Sequence, residues 1–155
     1  MAKQNQGKKF EQDILNSVPK NVYKHRIKDS TMRFKGDNNV CDMFLFKDDT
    51  LYMLELKSTK ASAIPYTSIA PNQFEGLLIA SEFLGIKAGF LFNFREHQET
   101  YYIDIKEAIE FKNTSNRMSY PIKFAREKGI KVDQTLKRTR YRYDIEKMIS
   151  DIKQS

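Results

Sequence analysis

Two apolar runs, Met43-Phe44-Leu45-Phe46 and Leu51-Tyr52-Met53-Leu54, flank the polar stretch Lys47-Asp48-Asp49-Thr50. That pattern predicts a β-hairpin. Folding it about the Asp48–Asp49 bond sets one register, and in that register Asp42 lies opposite Glu55. Directly opposed residues share a sheet face, with Cβ atoms roughly 4.5–5.5 Å apart. Lys57 joins the same face because alternate strand residues do. A slip of one residue would carry one acid to the other face. Both faces of the hairpin are otherwise apolar, so the strands belong inside a covered sheet. Acids in that setting are costly without a partner or a task.

Two carboxylates this close repel each other unless a cation or a proton lies between them. Together they can bind a hard divalent ion through oxygen. A lysine on the same face can orient an attacking water or stabilise charge on a phosphate. The trio therefore points to cleavage of nucleic acid. On spacing alone, Glu55 and Lys57 also read as ordinary solvated strand residues. Glu110-Phe111-Lys112 repeats the same three-residue pattern after the helical stretch 105–109. It has no facing acid and carries no signal, so strand context is what distinguishes Glu55.

The chain has 155 residues, which suits one domain over 1–155 with a real core. Hydrophobic residues make up 40% of it, too many for a disordered chain. No apolar run approaches the length of about 18 that a membrane span needs. The polar start, Met1 to Lys9, lacks the apolar stretch of a signal peptide, and a cytoplasmic setting is expected. A single cysteine, Cys41, excludes an internal disulfide and argues against a zinc knuckle. With only His25 and His97, a histidine-rich metal site or a Ser-His-Asp triad is poorly supported. The net charge is +7, and segment 112–142 alone holds ten Lys or Arg against two acids. A basic segment so concentrated is the footprint of a nucleic-acid binder. The bland alternative is a merely soluble surface.

Residues 8–18 read as an amphipathic helix with Phe10, Ile14 and Val18 on one stripe, stopped by Pro19. Glu11 lies beside that stripe and can reach the rim of the core. Residues 22–27 suit a first strand, and 29–39, with Arg33 and Lys35, a loop or short hairpin. Residues 58–70 read as a polar loop. A helix is expected from Pro71 to Gly85. Strands follow at 88–94 and 100–105, then short helices after Asp104 and over 121–128. Ile145, Met148, Ile149 and Ile152 mark a final helix. This order suggests an α/β or α+β domain with a mixed central sheet flanked by helices.

Helix Glu11, then Asp42, then Glu55-x-Lys57 on a hairpin, resembles the PD-(D/E)xK nuclease superfamily, whose fold is restriction-endonuclease-like. Cys41 stands where many members have proline. A closer resemblance covers most of the chain: Leu54-Glu55-Leu56-Lys57-Ser58-Thr59-Lys60, Ile64-Pro65, Asn72-Gln73-Phe74-Glu75, Gly85-Ile86-Lys87-Ala88-Gly89, Ser119-Tyr120-Pro121, and Gly7 with Glu11. Together they look like the RecU family of Holliday-junction resolvases, in a small version suited to a bacteriophage.

The resemblance implies Mg²⁺, with Mn²⁺ as a substitute, held by Asp42, Glu55, Gln73 and the Leu56 carbonyl. It implies Lys57 as the residue assisting the nucleophile and Glu11 at the edge of the site. It also implies paired nicks in a four-way DNA junction by a homodimer. Lys8, Lys9, Arg33, Lys35, Lys60 and Arg95 are candidate DNA contacts near the site. Arg138, Arg140 and Arg142 are candidates on a strand or extended arm. Two departures stand out. Val40 occupies the position where the family has a further metal-contacting side chain. The family's projection into the junction would correspond to the short segment 29–39. The rival readings are a duplex-cutting endonuclease of the same superfamily and a non-catalytic DNA-binding module.

Overall fold

The computed structural model describes residues 5–28 and 39–155. Helix α1 (Gln6–Ser17) starts at Asn5, whose side chain accepts a hydrogen bond from the Lys8 amide. That bond satisfies one of the amides a helix start leaves open. Three strands follow: β1 (Tyr23–Arg26), β2 (Met43–Lys47) and β3 (Thr50–Thr59). The β2–β3 hairpin pairs Met43 with Leu54 and Lys47 with Thr50, the register expected from sequence. Asp48 takes the first turn position at φ 56. Tight hairpin turns demand such a left-handed residue, and Asp tolerates it better than most.

Segment 58–70 is not simply a loop. The third strand runs on to Thr59, β4 (Ala63–Pro65) follows, and a 3₁₀ turn covers Tyr66–Ser68. Ile64 is buried there and anchors the segment. The large aliphatic residues Ile64 and Ile69 fit neither strand alternation nor a helical stripe, so only a distant partner shows that 63–65 is a strand. Helix α2 (Pro71–Ser81) stops four residues before Gly85. Gly85, at φ 88, makes the turn into β5 (Ile86–Phe94) rather than capping the helix.

The chain continues through β6 (Glu99–Asp104), α3 (Ile105–Thr114), β7 (Ser119–Pro121) and α4 (Ile122–Lys128). It ends with β8 (Ile130–Lys131), β9 (Gln134–Lys137), β10 (Arg140–Tyr143) and α5 (Ile145–Gln154). The main sheet has the order β1-β2-β3-β5-β6-β8. Among the described residues only its β3–β5 pair is parallel, with α2 in the crossover between them. The strand β4 pairs with β7, and β9 with β10, as separate two-stranded units.

Alternation along β3 sends side chains to two different cores. Tyr52, Leu54 and Leu56 pack with Phe10 and Ile14 of α1 and with the apolar stripe of α5. Met53 belongs to the other face, with Phe90 and Phe92 of β5, Leu77 of α2, and buried residues of α3 and α4. The fold is a mixed sheet covered by helices on both sides, the α+β arrangement expected. Among the described residues no helix is long and apolar enough to cross a membrane.

Close backbone approach in this sheet rests on Gly89. A Cβ there would collide with the Ile103 carbonyl and sit 3.0 Å from the Tyr102 ring. Gly89→Ala is expected to lower unfolding stability by more than about 2 kcal/mol, because neither strand can retreat in a packed sheet. Chemical denaturation with unchanged far-UV dichroism at zero denaturant would measure it.

Candidate metal centre

Asp42 sits at the entry to β2, one residue before the ladder begins. The Leu56 amide donates to its Oδ2 at 2.7 Å, and its own amide donates to the Leu54 carbonyl at 3.0 Å. These bonds hold the Asp42 carboxylate beside Glu55, close enough for its charge to act on that group. Glu55 is 2% exposed. Its Oε2 lies 3.2 Å from Lys57 Nζ, and its Oε1 is buried with no hydrogen-bond partner among the described residues. Burial, and next the neighbouring Asp42 charge, push the Glu55 carboxyl up to about 8; Lys57 opposes them. An orphaned buried carboxylate oxygen costs free energy unless something fills its coordination.

Glu11 reaches the same place from the opposite layer. Burial and then the Asp42 charge raise its pKa, while Arg26 lowers it. Arg26 Nη2 holds Glu11 Oε2 at 2.9 Å. Asp42 thus stands between two acids, on β3 and on α1. Cys41 is buried beside them, and its thiol is pushed up to about 12 by burial, then by Glu55 and Asp42.

Among the described residues no group of three or more His, Cys, Asp or Glu forms a complete metal cage. Mg²⁺ does not need one, since it keeps several waters and takes one or two carboxylates plus substrate phosphate. Asp42 and the orphaned Glu55 Oε1 fit that requirement. Gln73 Oε1 accepts from the Ala70 amide at 3.0 Å and so caps its own helix. One turn further along α2, Gly76 leaves room for Val40, whose Cγ1 would lie 2.6 Å from a Cβ there. Val40 therefore serves to dock α2 against the entry to β2, close to the carboxylates. Glu110 lies on α3, away from any strand, as its context suggests.

The candidate cations divide into three settings. Lys8, Lys9 and Arg140 line a cleft of about 400 Å³ together with Arg26. Arg95 donates to Ser58 Oγ at 3.0 Å, directly after Lys57 in the chain, and Lys60 is exposed just past β3. Arg138 and Arg142 are exposed on β9–β10. Arg33 and Lys35 lie outside the described residues. The basic segment 112–142 is not one charged face. It spreads over six strands and helices, and Arg126 and Arg140 are engaged by Glu99 and Asp13.

Sequence reading missed Arg26 and Asp13. Asp13 is buried, beside Phe10 and Ile14, and takes Arg140 Nε at 2.6 Å. An acid next to an apolar stripe is itself a signal that a partner exists.

No established family profile matches the chain. It is 32% identical over 173 residues to the SPbeta prophage-derived uncharacterized protein YotM of Bacillus subtilis strain 168, covering 98% of this chain and 89% of that protein. In three dimensions it resembles Hjc, a Holliday junction resolvase from the hyperthermophilic archaeon Archaeoglobus fulgidus. The TM-score is 0.59 at 13% identity, over 81% of this chain and 95% of that one. The fold is the restriction-endonuclease-like one of that resolvase.

The raised Glu55 pKa has a sign that can be tested. The folded protein holds this proton more tightly than the unfolded chain, whose value is near 4.5. The group's contribution to stability is therefore complete below pH 4.5 and is lost as pH rises through about 8. Metal-free protein should melt at progressively lower temperature between those limits. Glu55→Gln should flatten the profile and gain roughly 1–3 kcal/mol at alkaline pH, as replacing unfavourable buried charge does. Mg²⁺ should raise the melting temperature of the wild type more at pH 8 than at pH 6. Calorimetric melts of both proteins, with and without Mg²⁺, measure all three effects.

Proposed function

Since the chain belongs to the family of the prophage protein YotM and has a resolvase-type fold, we propose that it is a Mg²⁺-dependent endodeoxyribonuclease resolving four-way DNA junctions. The observation that carries this reading is the Asp42–Glu55 pair, with Glu55 Oε1 buried and without a hydrogen-bond partner among the described residues and Glu55 Oε2 3.2 Å from Lys57 Nζ. A bound divalent ion supplies a water nucleophile at neutral pH and stabilises charge on the phosphate. Asp42 and Glu55 hold that ion, with the Leu56 carbonyl as a further oxygen. Gln73 reaches it directly or through water, its Oε1 keeping a second lone pair beside the bond from Ala70.

Lys57 sits where it can orient the attacking water or neutralise the phosphate oxygens. Glu11, drawn in by α1, orients water at the rim. Lys8, Lys9, Lys60 and Arg95 position phosphates around the cut, with Arg33 and Lys35 as further candidates. Attack in line with the leaving oxygen leaves 5′-phosphate and 3′-hydroxyl ends. Two symmetric nicks need two sites, and a C₂ homodimer supplies them. Recognition by backbone contacts makes binding strongly salt-dependent.

The test is purified protein on a labelled four-way junction with Mg²⁺, beside an EDTA control and a matched linear duplex. Junction cutting is expected to exceed duplex cutting at least tenfold and to vanish in EDTA. Asp42→Asn should abolish cleavage while junction binding persists, and Lys57→Ala should slow it about 10²–10³-fold. Equal cutting of junction and duplex would leave an endonuclease without junction selectivity. Unchanged cleavage by Asp42→Asn would remove the metal assignment.

A further inference from the structure

The β9–β10 ribbon stands apart from the main sheet, yet both ends of its base are tied down. Thr100 Oγ1 donates to Gln134 Oε1 at 2.7 Å, joining β9 to β6. The Tyr141 amide donates to Asp13 Oδ2 at 3.3 Å and the Tyr143 amide to Ser17 Oγ at 3.0 Å, so α1 covers the edge of β10. The Arg140–Asp13 pair adds a third tie to the same helix. From this base the ribbon projects to a two-residue turn, Arg138-Thr139, with Arg138 in the left-handed region at φ 58.

The two faces of the ribbon differ. Gln134 opposite Tyr143 and Leu136 opposite Tyr141 share the inner face. Tyr143 is buried, Tyr141 packs on the edge of the core, and Leu136 extends past it, 56% exposed. Lys137, Arg138, Arg140 and Arg142 fall within the ribbon, and no acid lies between residues 134 and 143. The acids just outside it are already engaged. Asp133 takes Lys147 Nζ at 2.9 Å, and Asp144 caps α5 through the Lys147 amide.

A rigid, acid-free, cationic ribbon with one exposed apolar side chain near its turn calls for a polyanion that also offers apolar surface. A nucleic acid does so where its base stack is open. Two-stranded ribbons fit the major groove, and apolar side chains wedge between partly unstacked bases. Unstacking costs least where the stack is already interrupted.

Building on the nuclease reading, we propose that the β9–β10 ribbon contacts branched DNA, with Lys137, Arg138 and Arg142 on phosphates and Leu136 wedged against an unstacked base at the branch. The ribbon then measures branching at a fixed distance from the carboxylates, because α1 carries Glu11 at one site and Asp13 and Ser17 at the other.

The experiment uses Asp42→Asn protein, which should bind without cutting, and a four-way junction carrying 2-aminopurine at the branch point. A matched linear duplex is the comparison, and circular dichroism checks each variant's fold. Binding is expected to raise 2-aminopurine fluorescence. Adding Leu136→Ala should remove most of that rise and cost about tenfold in junction affinity, with little change on duplex. Adding Lys137→Gln and Arg138→Gln should weaken both substrates. It should also reduce the slope of log affinity against log salt by about one per cation removed.

An unchanged fluorescence rise in the Leu136→Ala protein, or an unchanged salt slope without the two cations, overturns the ribbon assignment and leaves the nuclease reading standing. Failure of the folded parent protein to bind any DNA overturns both. Leu136-dependent binding to anionic lipid vesicles, with DNA binding unaffected by the same change, would assign the ribbon to a membrane surface instead.

Discussion

The hydrogen bond from the Leu56 amide to Asp42 Oδ2 is the interaction on which the site depends. It forms just beyond the last regular pair of the hairpin and extends the register onto the carboxylate side chain. With it in place, Asp42 stays close to Glu55, whose other neighbour is Lys57. The arrangement is unfavourable in isolation: burial and the neighbouring Asp42 charge raise the Glu55 carboxyl, and one of its oxygens has no hydrogen-bond partner among the described residues. Local strain of this sort is held by the surrounding structure. Here the surroundings are a central strand flanked by β2 and β5 and packed on both faces.

Helix α1 ties the site to the rest of the molecule. Phe10 and Ile14 bury one stripe of it against the sheet, and Glu11 leans from its flank toward Asp42. Asp13 and Ser17, one turn apart, meet alternate amides of β10. The helix thus fills a core, contributes to the carboxylate cluster and closes the edge of a strand that would otherwise present open amides. On the opposite side, the Gly76–Val40 contact brings α2 against the entry to β2. The residue that departs from the resolvase pattern is therefore part of what docks that helix.

The hairpin was legible because two constraints coincide in a short stretch: an apolar pattern on either side of a polar turn, and a fold point that leaves a single register. The helices were legible for a similar reason, each carrying its own period or boundary, as with Pro19 after α1, Asp104 before α3 and the Ile145–Ile152 stripe of α5. Gln73 entered only through family resemblance, and its side chain caps its own helix. Strand β4 left no local trace, since it exists by pairing with residues more than fifty positions away. The basic segment is divided among six elements, because a run of charge in sequence becomes a face only if the fold keeps it together.

By itself, then, the sequence determined the hairpin register from Met43–Leu54 to Lys47–Thr50, which brings Asp42 near Glu55, since hairpin geometry is local and admits few alternatives. It also determined which segments are helices, since each carries its own periodicity. Only the tertiary structure decided that Glu11 comes under the influence of Asp42, that Asp13 and Arg140 form a pair 127 positions apart, and that Leu136 stands out of the core while Tyr141 and Tyr143 pack into it. Those outcomes depend on which distant surfaces meet, and the energy that selects them comes from burial of both cores together rather than from any one segment.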